Sequence, residues 1–476
     1  MRETTCTYDV IVIGAGPVGE NVAERTRAAG LSTVIVEREL LGGECSFWAC
    51  DPSKALLRPV VARADVRRVP GLRHAAAAPL DVAAVLAHRD RMASYWKDDD
   101  QADWLDSVAV DLVRGHGRLD GPRKVSVHTP EGDTVRLTAR HAVAVCTGSG
   151  PALPAVPGLD TVRPWTSREA TSAANAPGRL AVVGGGVVAV EMATAWQALG
   201  SQVTLLVRED ELLQRMEPFA AELVTDGLRE HGIDIRFRTS VTALERIGSE
   251  VRISLTDGGQ LTADEILFAT GRTPHTADLG LETIGLPPGD WLTVDDTFRV
   301  TGITDGWLYA VGDVNHRALM THQGKYQARI AGAVIAARAK HEPVDDTPWG
   351  AHVATADTTA VPQVVFTHPE VAAVGLTTRA AQHYGHRIEV VDYDLAHLAG
   401  AHQYAEGYRG QARMLVDTDR NTVAGVTFAG PGVAELLHSA TIAVAGEIPI
   451  DRLWHAVPAF PTLSEIWLRL LETHRG

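Results

Sequence analysis

Val10-Ile11-Val12-Ile13-Gly14-Ala15-Gly16-Pro17-Val18-Gly19 is an apolar run that stops at a spaced set of glycines. The run suits a buried strand and falls well short of the ~18 residues a membrane span needs. Because it leads straight into glycines, it reads as a strand rather than a signal peptide. Gly14, Gly16 and Gly19 let the backbone turn tightly and approach a pyrophosphate at the start of the helix that follows, up to Gly30. Thr33-Val34-Ile35-Val36 then forms a second strand and closes on Glu37, an acid placed to accept hydrogen bonds from ribose hydroxyls. Strand, glycine turn, helix, strand and acid in this order predict a dinucleotide-binding βαβ unit.

The pattern occurs again at Leu180-Ala181-Val182-Val183-Gly184-Gly185-Gly186-Val187-Val188-Ala189-Val190-Glu191. A helix to Gly200 and a strand Gln202–Val207 follow, with Gly184, Gly186 and Ala189 carrying the turn. This strand ends in Val207-Arg208 rather than in an acid, and Arg215 follows one or two turns later. Arginines here can take the 2′-phosphate of NADP, and the missing acid removes the usual NAD ribose contact. Both arginines also fit plain surface charges. Two dinucleotide folds imply two dinucleotides, one held and one exchanging. The expected order is FAD first and NADPH second, with NADH the less favoured reductant.

The segment Gly42-Gly43-Glu44-Cys45-Ser46-Phe47-Trp48-Ala49-Cys50-Asp51-Pro52-Ser53-Lys54 follows the first unit. Beside a flavin, a thiol pair is a device for moving two electrons. The C-x4-C spacing is not the usual zinc spacing, and no second Cys/His pair lies nearby, so no metal site is expected. A redox pair and two buried free thiols both remain open. Bridging the two carries a geometric demand. In an ideal helix, residues i and i+5 have Cα atoms roughly 8–9 Å apart, whereas a disulfide tolerates less than about 7 Å. A bridged pair therefore needs a distorted helix, and Pro52 suits a boundary or kink there. A helix N-terminus would also lower a thiol pKa.

The chain has 476 residues, four cysteines and a formal charge of −15. The length suggests about three domains. The acidic balance argues against nonspecific nucleic-acid or anionic-membrane binding and for a soluble protein. Four cysteines are too few for a disulfide scaffold and fit a reducing cytoplasm.

With these motifs in view, the chain resembles the class I pyridine nucleotide-disulfide oxidoreductases, the group of glutathione reductase, dihydrolipoamide dehydrogenase and mercuric reductase. The likeness extends through Val145-Cys146-Thr147-Gly148-Ser149, Ala269-Thr270-Gly271-Arg272-Thr273-Pro274 and Leu308-Tyr309-Ala310-Val311-Gly312-Asp313. Val365-Phe366-Thr367-His368-Pro369-Glu370-Val371 and Pro461-Thr462-Leu463-Ser464-Glu465 continue it.

The resemblance implies a redox-active Cys45–Cys50 disulfide, with Cys50 against the flavin and Cys45 facing the substrate. It implies Lys54 near the hydride-accepting flavin nitrogen, paired with Glu191. Asp313 would bind the ribityl or pyrophosphate region and Gly117 would meet the adenine end. The remaining implied cofactor contacts are Gly43, Thr147, Gly148, Gly271, Met320 and Thr321. A homodimer is implied, its active site composite because Phe460 and Glu465 enter the partner.

The resemblance fails at one position. The disulfide-reducing members carry a histidine before Pro-Thr-Leu, paired with the later glutamate, and this pair shuttles a proton to the leaving thiol. Here Glu465 is present, but the histidine position is Phe460. Losing a general acid–base typically costs about 10²–10⁴ in rate. His455 lies five residues upstream and does not simply substitute. Mercuric reductases need no such base but usually end in a cysteine pair, which Leu471-Glu472-Thr473-His474-Arg475-Gly476 lacks. The 2-ketopropyl-coenzyme M carboxylating reductase is similar in its phenylalanine and differs at the glutamate. A small-molecule or thiol/disulfide substrate is expected, with a carboxylating, quinone or metal reductase as the alternative. A redox-sensing or partner-binding flavoprotein is a further alternative. Phe47, Trp48 and Asp51 suit either packing around the thiols or a flat apolar pocket. His322 suits either a flavin-edge residue or a proton carrier.

The expected fold class is α/β: two Rossmann-like dinucleotide-binding domains plus a C-terminal α+β dimerisation domain. The FAD domain covers 1–156 and resumes at 277–346. The NAD(P)H domain is 157–276 and the dimerisation domain 347–476. Pro151, Pro154 and Pro157 mark the first crossing, Arg272-Thr273-Pro274 the return, and Pro343 to Pro348 the last linker.

Overall fold

The computed structural model describes residues 3–476. The chain forms two compact units. The first comprises Met1–Pro52, Asp90–Ala152 and Gly271–Thr358, and the second Ser53–Arg89, Leu153–Thr270 and Thr359–Gly476.

In the first unit, strand β1 (Glu3–Ile13), helix α1 (Pro17–Ala28) and strand β2 (Thr33–Glu37) form the expected βαβ unit. Their sheet is largely parallel. From one edge it runs through Asp111–Arg114, β2, β1 and Thr134–Val145, and then turns antiparallel through Lys124–His128 and His116–Leu119. Leu308–Ala310 adds in parallel to Thr134–Val145. Side chains alternate faces along a strand. Val10, Val12, Ile35, Ala142 and Ala144 therefore share one core with Val22 and Ala23 of α1. Ile11, Ile13, Val34, Val36, Val143 and Val145 enter the core on the opposite face. Burial on both faces is what gives these strands continuous apolar runs. Pro151 and Arg272, one on each side of the excursion into the second unit, pair in a short antiparallel ladder.

In the second unit, a parallel sheet runs Asp234–Arg236, Gln202–Leu206, Arg179–Val183 and Glu265–Phe268. The helix Val187–Ala198 packs on it with Trp196 fully buried. A three-stranded meander spans 241–263, and a five-stranded antiparallel sheet is built from residues 363–430. Helix α2 (Gly43–Trp48) lies in the first unit, and helix α3 (Cys50–Arg67) starts there and continues into the second. No helix among the described residues is long and apolar enough to cross a membrane.

Candidate functional site

The first glycine turn is shaped by close backbone approach. Gly14 has φ +99°, and a Cβ there would stand 2.5 Å from the Cys146 carbonyl oxygen. A Cβ on Gly19 would overlap the Gly14 carbonyl at 1.9 Å, whereas one on Gly16 meets nothing within 4 Å. The turn is thus packed behind and open in front of the α1 N-terminus, the shape a pyrophosphate needs. Gly43 approaches Gly16, and Gly117 approaches Val36, too closely for a side chain on either.

Glu37 is buried. Its carboxylate accepts from the Ala15 amide at 2.7 Å and from the Glu39 amide at 2.8 Å. It braces the turn and keeps acceptor capacity beyond these two bonds. Thr147 Oγ1 is buried without a partner, an arrangement that a ligand hydroxyl or carbonyl satisfies. Ser149 Oγ donates to Asp313 at 2.5 Å, and Arg272 Nε donates to Ser149 Oγ at 2.6 Å. Gly148 turns with φ +68° and Gly271 with φ +132°. An open glycine turn, an orphaned buried hydroxyl and a braced aspartate together fit FAD.

The two cysteines sit on either side of a helix break. Ala49, with φ −133° and ψ −95°, separates α2 from α3. The distortion demanded by the spacing thus falls at Ala49 rather than at Pro52, which lies in the first turn of α3, where proline is tolerated. Both cysteines are free thiols, the reduced form of the pair that the resemblance implies. Thr321, the first residue of the helix Thr321–Ala339, places its hydroxyl 3.0 Å from Cys45 Sγ and 3.3 Å from Cys50 Sγ. A hydroxyl carries one proton. Donation to Cys45 therefore leaves the Cys50 thiol to donate to Thr321. The Cys45 thiol is pushed up. Its hydrogen bond with Cys50 is the main cause, and burial adds to it.

Phe47 is fully buried and tilted against Trp48, with ring centroids 5.6 Å apart. Trp96, outside the predicted set, donates its indole N–H to the Phe47 carbonyl. Met320 is the N-cap of the Thr321 helix, and His322 is exposed.

In the second unit, Lys54 Nζ donates to Glu191 Oε2 at 2.8 Å. The other Glu191 oxygen accepts from the Phe366 amide at 3.0 Å. The ammonium also lies 5.0 Å from the centre of the Phe366 ring. Glu191 is only 3% exposed, so the pair is paid for by these three contacts acting together.

The second glycine turn repeats the first. Gly184 has φ +130° and lies against the Ala269 carbonyl, Gly186 is open in front, and Ala189 is buried behind. Arg208 is exposed and bonded to Glu209, and Arg215 is exposed.

Near the C-terminus, Phe460 is 74% exposed and Val457 is 86% exposed, whereas Glu465 is buried and accepts from Arg469 at 2.6 Å. His455 is exposed. Residues that sequence reasoning missed here are Phe366, Ser149 and Trp96. The first two lie inside motifs quoted for the resemblance but are given no role there, and Trp96 carries no sequence signal.

Residues 8–336 match the pyridine nucleotide-disulphide oxidoreductase family, and residues 361–470 match its dimerisation domain. The chain belongs to this family and is a flavoprotein oxidoreductase. It is 31% identical to dihydrolipoyl dehydrogenase 3 of Pseudomonas aeruginosa over 96% of both chains. It is also 31% identical to a mercuric reductase of Streptomyces lividans, over 96% of this chain and 94% of that one. Its fold resembles that of the HOCl-induced flavoprotein disulfide reductase RclA from Escherichia coli. The TM-score is 0.83 at 23% identity, covering 98% of this chain and 99% of that one.

Proposed function

We propose that the protein is an NADPH-dependent flavin and dithiol reductase whose small acceptor takes electrons without a proton from residue 460. The observation that carries this is the thiol pair of Cys45 and Cys50, gathered on one threonine hydroxyl. Bound FAD would supply the two-electron link between the nicotinamide and the thiols. Gly14, Gly16, Gly19, Thr147 and Asp313 would hold it. Closing the pair to a disulfide releases two electrons and two protons, and reduction restores both. Thr321 holds a proton between the sulfurs, so it would steady whichever thiol becomes the thiolate.

Lys54, neutralised by Glu191, would present its ammonium to the flavin. Arg208 and Arg215 would select the 2′-phosphate of NADPH. The protein would work as a homodimer, with exposed Phe460 and Val457 as part of the contact surface. Phe460 offers no proton, which favours a metal ion, or a quinone whose reduced oxygens take their protons from solvent, over a disulfide whose leaving thiol must be protonated within the site.

The test is anaerobic titration of the FAD-loaded enzyme with NADPH. The expected result is uptake of two electron pairs with a long-wavelength thiolate–flavin band, lost in Cys50→Ser. A Cys50→Ser enzyme that matches the parent in both respects overturns the reading. A panel of disulfides, quinones and metal ions then identifies the acceptor.

A further inference from the structure

The parallel strands Gln202–Leu206 and Asp234–Arg236 end side by side, and each leads into an exposed arginine, Arg208 from one and Arg238 from the other. Three hydrogen bonds lock the two ends together. Val207 N donates to Arg236 O, Arg238 N to Glu209 O and Thr239 N to Val207 O, each at 2.9 Å. The Arg208 and Arg238 side chains are 82% and 80% exposed. The loop beyond Arg208 is tied to the glycine turn, because Leu213 N donates to Gly185 O at 2.8 Å. A Cβ on Gly185 would lie 2.9 Å from Val207. A dinucleotide whose pyrophosphate rests on this turn carries its adenosine ribose to the end of the adjoining strand.

We propose that Arg238 binds the 2′-phosphate of NADPH together with Arg208, so that the phosphate is held from two neighbouring strand ends. The inference rests on the NADPH reading and adds to it a ligand from outside the βαβ unit. Two further observations support it. Arg238 has φ +52°, a left-handed conformation that suits glycine or asparagine and disfavours arginine. Nothing in the local backbone calls for arginine there. Each guanidinium is also held by an adjacent carboxylate. Arg208 Nε and Nη2 reach Glu209 Oε1 at 3.0 and 2.7 Å, and Arg238 lies 3.7 Å from Asp210. Exposed ion pairs of this kind are weak and salt-screened. A phosphate offers stronger charge-assisted bonds to the same planar donors, so it displaces the carboxylates.

The test measures dissociation constants of NADP⁺, NAD⁺ and 2′-AMP on the FAD-loaded enzyme. Arg238→Asn keeps a residue that tolerates the local φ. The expected result is about tenfold or greater weakening of NADP⁺ and 2′-AMP, with NAD⁺ changed less than about twofold. Arg238→Lys retains part of the affinity, and Asp210→Asn tightens NADP⁺. Wild-type NADP⁺ binding in Arg238→Asn, alongside weakened binding in Arg208→Asn, overturns the role of Arg238 and leaves the NADPH reading standing. Equal losses for NADP⁺ and NAD⁺ also overturn it. A wild-type enzyme that binds NAD⁺ more tightly than NADP⁺ and does not bind 2′-AMP overturns the NADPH reading itself.

Discussion

The indole nitrogen of Trp96 donates to the carbonyl oxygen of Phe47 across 3.1 Å. That carbonyl belongs to the last turn of α2, which stops at Ala49 before the second cysteine. A helix end leaves carbonyls without intrahelical partners, and Trp96 supplies one. It does so from Ser94-Tyr95-Trp96, three consecutive non-glycine residues with φ between +47° and +55°. Such residues are strained by about 1–3 kcal/mol each.

Relieving this strain should stabilise the protein. The Tyr95 side chain is 60% exposed, so Tyr95→Gly removes little packing while accommodating the positive φ. The expected gain is about 1 kcal/mol, read from denaturant unfolding. Trp96→Phe should act in the opposite sense, leaving the Phe47 carbonyl unsatisfied at about 1–3 kcal/mol. It should also change the alkylation rate of Cys45, because α2 loses its anchor. An unchanged Cys45 rate would show that the anchor does not position the thiol.

Lys54 and Glu191 make a second test. Glu191 is almost fully buried and Lys54 is more than a third exposed. Lys54→Met leaves a buried carboxylate with only the Phe366 amide. Fully buried pairs lose about 3–5 kcal/mol on such a change. Partial exposure of the lysine brings the expected loss nearer 2 kcal/mol. Adding Glu191→Leu should recover most of it, measured as a double-mutant cycle.

Asp357 gives a pH signature. It is 6% exposed and accepts from Gln323 and Gln327, yet burial pushes its carboxyl up to about 6. A raised acid pKa favours the protonated folded form. Its contribution is therefore fully present below pH ~3.8 and is lost as pH rises through about 6, a change on the order of 3 kcal/mol. Asp357→Asn should flatten the stability profile across that window. Thermal melts at pH 4.5 and 7.5 whose difference matches the parent would refute the assignment.

Much of this architecture could be read from local pattern. The glycine turns, the alternation of Val10 to Ile13 between two cores and the acid at Glu37 all follow from spacing. The missed features depend on contacts far apart in sequence or on conformations the residue type disfavours. Ala49 is a strong helix former, so nothing but the reach of the cysteines hinted at a break there. Ser94–Trp96 contains no glycine or asparagine to announce a left-handed turn. Thr321 reaches the thiols from about 270 positions away, beyond any local signal.

Phe460 offers the sharpest functional prediction. Its ring is 74% exposed and its neighbour Val457 more so, so Phe460→His disturbs no packing within the chain. If the missing base is what prevents disulfide turnover, Phe460→His should raise the rate with a small disulfide by up to about 10²–10⁴-fold. The gain should appear in kcat more than in KM, because proton transfer to the leaving thiol belongs to the transition state. The new activity should also depend on Glu465, since that carboxylate would orient the introduced imidazole. Glu465→Gln placed on Phe460→His should remove most of the gain. A Phe460→His enzyme that reduces disulfides no faster than the parent would show that residue 460 is not what sets the acceptor.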